Sequence, residues 1–243
     1  HTPLQVPDKY YDMYKNLDPE SGFKEGLESL KMSEKDKEDT RSIYGMVTNI
    51  DDNIGKVINK LKELEIEDET IIIFMTDNGP QQLRYNSNMK GLKGTVYNGG
   101  IRVPFYIKYA EKFKNSKVIN RMSAHIDVLP TVLELCDLKI PSDRKIDGQS
   151  LVPTINSKAI NDRFLFSYWT RRFPEKYINM SIQNDNYKLV GNTDFDSKIE
   201  DFELYDLIAD PSESNNVINQ NIEIAKSFKM EMDNSINDLL NSE

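Results

Sequence analysis

The chain has 243 residues, 38% of them hydrophobic, and a formal net charge of −9. That length holds one large domain, or one domain plus a small one. The acidic balance speaks against non-specific nucleic-acid binding, which needs a basic surface, and no apolar run approaches the roughly 18 residues of a membrane-spanning helix. Cys136 is the single cysteine, which excludes an internal disulfide and a Cys-based zinc site. Its apolar neighbours Val132, Leu133 and Leu135 suggest a small core residue. The sequence opens on His1 rather than Met, with no signal-peptide pattern, and so reads as a fragment or processed piece.

His1-Thr2-Pro3-Leu4-Gln5-Val6-Pro7 is a proline-punctuated loop followed by aromatic-rich Tyr10-Tyr11-Asp12-Met13-Tyr14. On its own, His1 reads as a terminal residue or a tag remnant. Residues 15–35 are polar and suit a loop or a short surface helix. From Lys35 to Leu64 the apolar positions Ile43, Met46, Val47, Ile50, Ile54, Val57, Ile58 and Leu61 recur at three- and four-residue steps, the pattern of an amphipathic helix. Asp51 and Asp52 lie beside that stripe and read as a solvated or structural pair. An acidic turn, Ile66 to Thr70, leads into the apolar strand Ile71 to Met75, and helix plus strand fit a right-handed crossover.

That strand is expected to be buried and parallel, delivering Asp77 and Asn78 to the carboxyl edge of an α/β sheet, where such folds bind ligands. Both residues offer hard oxygen donors of the kind calcium or magnesium prefers. Asp-Asn-Gly after a strand is, by itself, also an ordinary turn. After the polar loop 81–89, the glycine-rich stretch Lys90 to Gly100 would let backbone and the Lys93 ammonium approach a small oxyanion. Hard-metal ligands with a cation in such a loop suggest a site for sulfate or phosphate esters. Val103 to Tyr109 reads as the next strand, with Pro104 at its start.

Ser123 to Thr131 leads into an apolar helix ending near Cys136. His125 and Asp127 invite a metal assignment, but a chain with two histidines poorly supplies a di-metal site. His125 therefore reads as a capping residue or a support behind the ligands. From Arg163 onward, β-rich runs at 164–169, 177–183 and 187–190 alternate with polar turns and predict an antiparallel meander. Trp169-Thr170-Arg171-Arg172 is either a solvated face or the lining of a cleft for a polyanion. Ile218, Ile222, Ala225, Phe228, Met232, Ile236 and Leu239 mark a terminal amphipathic helix.

Taken together these segments resemble the type I sulfatases, the arylsulfatase family of the alkaline-phosphatase-like superfamily. Thr76-Asp77-Asn78-Gly79 matches a family strand ending in T-D-N-G. Gly91 to Pro104 matches G-x-K-G-T-x-Y-x-G-G-I/V-R-x-P. Further matches are H-x-P-L-Q-x-P at His1, H-x-D-x-x-P-T at His125, D-G-x-S-L at Asp147 and L-Y-D-L-x-x-D-P-x-E-x-x-N at Leu204. Asn98 departs from the pattern, standing where Glu is common. The resemblance covers only the C-terminal part of such an enzyme: its C/S-x-P/A-x-R signature, the source of the formylglycine nucleophile, does not occur here.

The resemblance implies an α/β fold. Residues 1–155 would be the latter part of an alkaline-phosphatase-like mixed sheet flanked by helices, and residues 156–243 a small antiparallel sheet with a packed helix. It implies a sulfuric ester hydrolase acting on sulfated carbohydrates or aryl sulfates, with a calcium ion rather than magnesium held partly by Asp77 and Asn78. Lys93 would bind and neutralise the sulfate, and His1 would contact the bridging oxygen and protonate the leaving group. Without the formylglycine segment the chain alone would be inactive. Alternatives are a phosphate-ester hydrolase or mutase of the same superfamily, and a non-catalytic glycan-binding relative. Localisation by resemblance would be periplasmic, extracellular or lysosomal.

Overall fold

A computed structural model describes residues 3–22, 31–158 and 161–241. The class is α/β, as expected. A short helix, α1 (Asp8–Tyr11), lies against the long α2 (Glu34–Glu63). Ser33 caps α2 by accepting the Asp36 N–H at 3.0 Å. Glu34 and Asp36 in its first turn and Lys60 and Lys62 in its last complement the helix dipole. The two helices pack closely at Gly45, where a Cβ would stand 3.1 Å from the Tyr10 backbone. Tyr10 donates to Asp52 at 2.8 Å, and Tyr14 and Thr48 share a hydrogen bond of 2.7 Å. Asp52 is thus a structural acceptor, in line with its position beside the apolar stripe.

Strand β1 (Ile72–Met75) pairs antiparallel with β2 (Phe105–Lys108), from Ile72 opposite Lys108 to Met75 opposite Phe105. This corrects the expectation of a buried parallel strand: β2 is its sole strand neighbour among the described residues, and Met75 is 41% exposed. An uninterrupted apolar run cannot tell parallel from antiparallel pairing, nor say what covers its faces. The stripe of α2 is likewise open. Ile50, Ile54, Val57 and Ile58 line, with Ile72 to Phe74, an apolar groove of about 410 Å³.

Helices α3 (Asn98–Ile101), α4 (Val128–Leu135) and α5 (Val152–Ile155) precede the second sheet. Cys136 caps the end of α4 and is exposed, so it is not the core residue its neighbours suggested. The apolar side of α4 is carried by Leu135, which turns inward while the next residue leaves the helix.

The second sheet is an antiparallel meander in the order β3 (Leu165–Tyr168), β4 (Met180–Gln183), β5 (Tyr187–Gly191) and β6 (Glu203–Asp206). Its two faces follow from strand alternation. Ile182, Leu189 and Leu204 lie opposite one another in register and meet Ala225, Phe228, Met232 and Ile236 of the terminal helix α6 (Ile222–Asn241). Burying each of these larger apolar side chains contributes about 1.5–3 kcal/mol. The other face carries Ser181, Lys188, Val190, Glu203 and Tyr205, and against it packs the loop that bears Lys93, through Val96 and Tyr97. The sheet is therefore a platform, with a helix beneath and the glycine-rich loop above.

Candidate active site

β1 ends at Met75, and the backbone turns immediately into Thr76-Asp77-Asn78-Gly79-Pro80. Asp77 is exposed; one carboxylate oxygen accepts the Asn78 N–H at 2.9 Å, and the other has no partner among the described residues. The Asn78 amide nitrogen donates to the Gly79 carbonyl at 3.0 Å, which leaves its side-chain oxygen free to accept. His125 reaches the same turn: its Nε2 lies 2.8 Å from the Thr76 carbonyl. This fits the reading of His125 as a support behind the strand end rather than a ligand. Asp127 is fully buried, is bound bidentately by Arg163 and accepts the Gln149 N–H at 2.9 Å. It holds the fold and is not available to a metal.

The strand end and the Lys93 loop are joined through backbone. The Lys93 N–H donates to the Pro80 carbonyl at 2.8 Å, and the Gly79 N–H donates to the Gly100 carbonyl at 2.8 Å. No side chain fits between them: a Cβ on Gly79 would stand 1.8 Å from the Gly99 oxygen, and one on Gly99 would stand 2.1 Å from the Gly91 oxygen. Gly91 and Gly94 have φ of 86° and 87°, the left-handed region that glycine alone enters without strain. The glycines are thus what lets Asp77, Asn78 and Lys93 share one small region. Lys93 itself is exposed, and its ammonium has no hydrogen bond or ion pair among the described residues. His1, the remaining candidate, lies outside the described residues.

The donor set suits a hard cation: unpartnered oxygens on two adjacent residues, with no sulfur or imidazole. No group of three His, Cys, Asp or Glu side chains converges among the described residues. Asp77 and Asn78 would be part of a fuller shell.

A family model described as "Sulfatase" matches residues 1–138, and one described as "N-sulphoglucosamine sulphohydrolase, C-terminal" matches residues 92–241. The chain belongs to the sulfatase family. It is 35% identical over 135 residues to human N-acetylgalactosamine-6-sulfatase, covering 53% of this chain and 26% of that protein. It is 27% identical over 235 residues to N-acetylglucosamine-6-O-sulfatase of Bacteroides thetaiotaomicron, covering 93% of this chain and 40% of that protein. The fold matches that of yidJ from Bacteroides fragilis with a TM-score of 0.77 at 24% identity, over 98% of this chain and 51% of that one. This sulfatase chain therefore spans between a quarter and two-fifths of those two curated relatives.

Sequence reasoning missed how the sulfatase loop is held. Lys188 and Glu213 are both fully buried and form an ion pair of 2.7 Å. Lys188 also donates to the Asn98 side-chain oxygen at 3.2 Å, Glu213 accepts the Asn98 N–H at 2.6 Å, and the Asn98 amide donates to the Pro211 carbonyl at 3.0 Å. Burial pushes the Lys188 pKa below the ordinary lysine value, and Glu213 opposes that shift. This supplies a physical account of Asn98, the position that departs from the family pattern: a neutral amide completes an ion pair already balanced by Glu213. One signal was legible, a lysine inside the apolar strand run Tyr187 to Val190, which needs a buried partner.

A second tie lies at the front of the loop. Lys90 contacts Glu203 at 3.1 Å and Tyr205 at 2.7 Å, Tyr97 donates to the same carboxylate, and the Lys90 N–H donates to the Ser212 carbonyl at 2.9 Å. Burial raises the Tyr97 and Tyr205 pKa values well above the ordinary tyrosine range, and the Glu203 carboxylate adds to the shift. For Glu203 burial acts upward, yet the hydrogen bonds from Tyr97, Tyr205 and Lys90 outweigh it and hold the carboxyl below the usual glutamate value. Asn179, at φ 49°, donates to the Gly94 carbonyl at 2.9 Å and accepts the Val96 N–H at 3.1 Å. The loop is strapped on both sides of Lys93.

Proposed function

We propose that this chain supplies the sulfate-binding half of a sulfate-ester hydrolase that acts on sulfated carbohydrates. The observation that carries the reading is the backbone union of the Asp77-Asn78 turn with the Lys93 loop, in a chain of the sulfatase family. It sets hard oxygen donors and an unpaired ammonium in one exposed region, the combination that can bind the terminal oxygens of an anionic sulfate ester. The relatives named for 6-sulfated N-acetylhexosamines support a carbohydrate substrate.

In this reading Lys93 binds the sulfate oxygens and neutralises the negative charge they carry while the bond to the ester oxygen breaks. Asp77 and Asn78 would hold calcium, which when bound supplies Lewis-acid polarisation of the sulfate. His1 would give a proton to the departing ester oxygen. A formylglycine nucleophile would come from a segment bearing C/S-x-P/A-x-R, a signature this sequence does not contain, so the chain alone would release no sulfate.

The test is sulfate release by the full-length gene product. Lys93→Ala and Asp77→Ala should each lower turnover by about 10²–10³, with thermal midpoints within a few degrees of wild type because both side chains are exposed. Wild-type rates in either variant would contradict the assignment.

A further inference from the structure

The second sheet sends one exposed segment to the neighbourhood of Lys93. β3 ends at Tyr168; the Trp169 N–H then donates to the Asn179 carbonyl at 3.2 Å, and the Trp169 carbonyl accepts from the Asn179 amide at 3.0 Å. This fixes the backbone of Trp169 beside the loop that Asn179 straps. The indole lies on Gly94, the residue after Lys93. A Cβ built there would stand 3.4–3.5 Å from three carbons of the six-membered ring, as expected for contact with its face. Trp169 nonetheless keeps 43% of its surface exposed.

Arg171 completes the patch. Its guanidinium carbon stands 5.6 Å from the indole ring centroid, within cation–π range. It has no carboxylate partner among the described residues, and neither does Lys93. Both cations are exposed and so open to an incoming anion. A guanidinium held against an aromatic ring by cation–π attraction loses less freedom on binding an anion than a free side chain would.

We propose that Trp169 and Arg171 form a second anion-recognition subsite beside Lys93. It would take a further acidic group, sulfate or carboxylate, on the sugar that carries the scissile sulfate or on its neighbour, while the indole packs against the ring. The preferred substrate would then be a multiply charged glycan rather than a singly sulfated one. This rests on the reading of Lys93 as the sulfate contact, but it is testable without turnover.

Trp169 is the single tryptophan of the chain, so its emission reports ligands at this place. The chain is titrated with glucosamine 6-sulfate, with glucosamine 2-N,6-O-disulfate, and with a disaccharide carrying one sulfate and one uronate. The dissociation constant should fall by about tenfold from the first probe to the second, the scale of one charge-assisted hydrogen bond. The third probe shows whether a carboxylate serves as well as a sulfate. Arg171→Ala should bring the ratio to about one, and Arg171→Lys should keep only part of it. Arg172→Ala, which removes an exposed neighbour, should keep it.

Equal affinity for the first two probes would overturn the subsite, as would a ratio that survives Arg171→Ala or vanishes equally in Arg172→Ala. If the full-length product releases sulfate with no preference dependent on Arg171, the subsite fails and the hydrolase reading stands. If Arg171-dependent binding is found but no sulfate is released, the subsite stands and the hydrolase reading fails.

Discussion

Replacing Lys188 by Met should destabilise the protein far more than a surface lysine would. The side chains of Lys188 and Glu213 are 0% exposed and 2.7 Å apart, so the variant strands a carboxylate in the interior with the Asn98 N–H as its remaining donor. Breaking a buried pair by removing one partner costs about 3–5 kcal/mol. With an unfolding entropy of about 2.1 cal/mol/K per residue, 243 residues give about 0.5 kcal/mol/K, so the thermal midpoint should drop by about 6–10 °C. Differential scanning calorimetry and urea titration read both quantities. Lys188→Met with Glu213→Gln removes both charges and keeps an acceptor for Asn98, so it should recover most of the loss. A deficit under about 1 kcal/mol in the single variant, or a double variant no better than the single, would refute the reasoning.

Gly79→Ala places a Cβ against backbone atoms of Gly99 and Gly100 that cannot yield, so it should cost about 3 kcal/mol or more and abolish activity of the full-length product. Near-wild-type stability, by chemical denaturation, would argue that the two loops are not locked together. Acid should destabilise the protein through Glu203 and Asp233. Burial raises Asp233, but hydrogen bonds from Tyr177, Lys229 and Lys176 hold it, like Glu203, below its ordinary value. Groups depressed on folding stabilise above their unfolded pKa and lose that contribution as pH falls through the folded one. The midpoint should therefore decline below about pH 4, and Glu203→Gln should flatten the decline. Alkali should destabilise as well: Tyr97 and Tyr205 keep their protons when folded, so stability should fall above about pH 10, where unfolded tyrosines ionise.

Periodicity made the large elements legible. The three- and four-residue spacing of Ile43 to Leu61 gave α2, and the steps from Ile222 to Leu239 gave α6, because each helix has one apolar stripe. Alternation and turn residues gave the meander, with β4 three residues shorter at its start because Tyr177 and Asn179 take positive φ. The pairing of β1 was not legible, since a short apolar run says nothing about the direction of its neighbour. The candidate residues Asp77, Asn78 and Lys93 stood out as residue types, while the backbone contacts that bring their loops together did not. That union depends on glycines whose Cα atoms touch distant backbone, and local sequence does not record such contacts. The straps from Lys188, Glu213 and Asn179 were hidden for the same reason, being contacts between residues some 80 to 115 positions apart.

The most direct measurement is the rate of sulfate release from N-acetylglucosamine 6-sulfate by the full-length gene product, compared with phosphate release from the matching 6-phosphate. The account predicts calcium-dependent turnover of the sulfate ester that greatly exceeds that of the phosphate and collapses in Lys93→Ala. Faster cleavage of the phosphate ester, or tight sugar binding with no release of either anion, would contradict it.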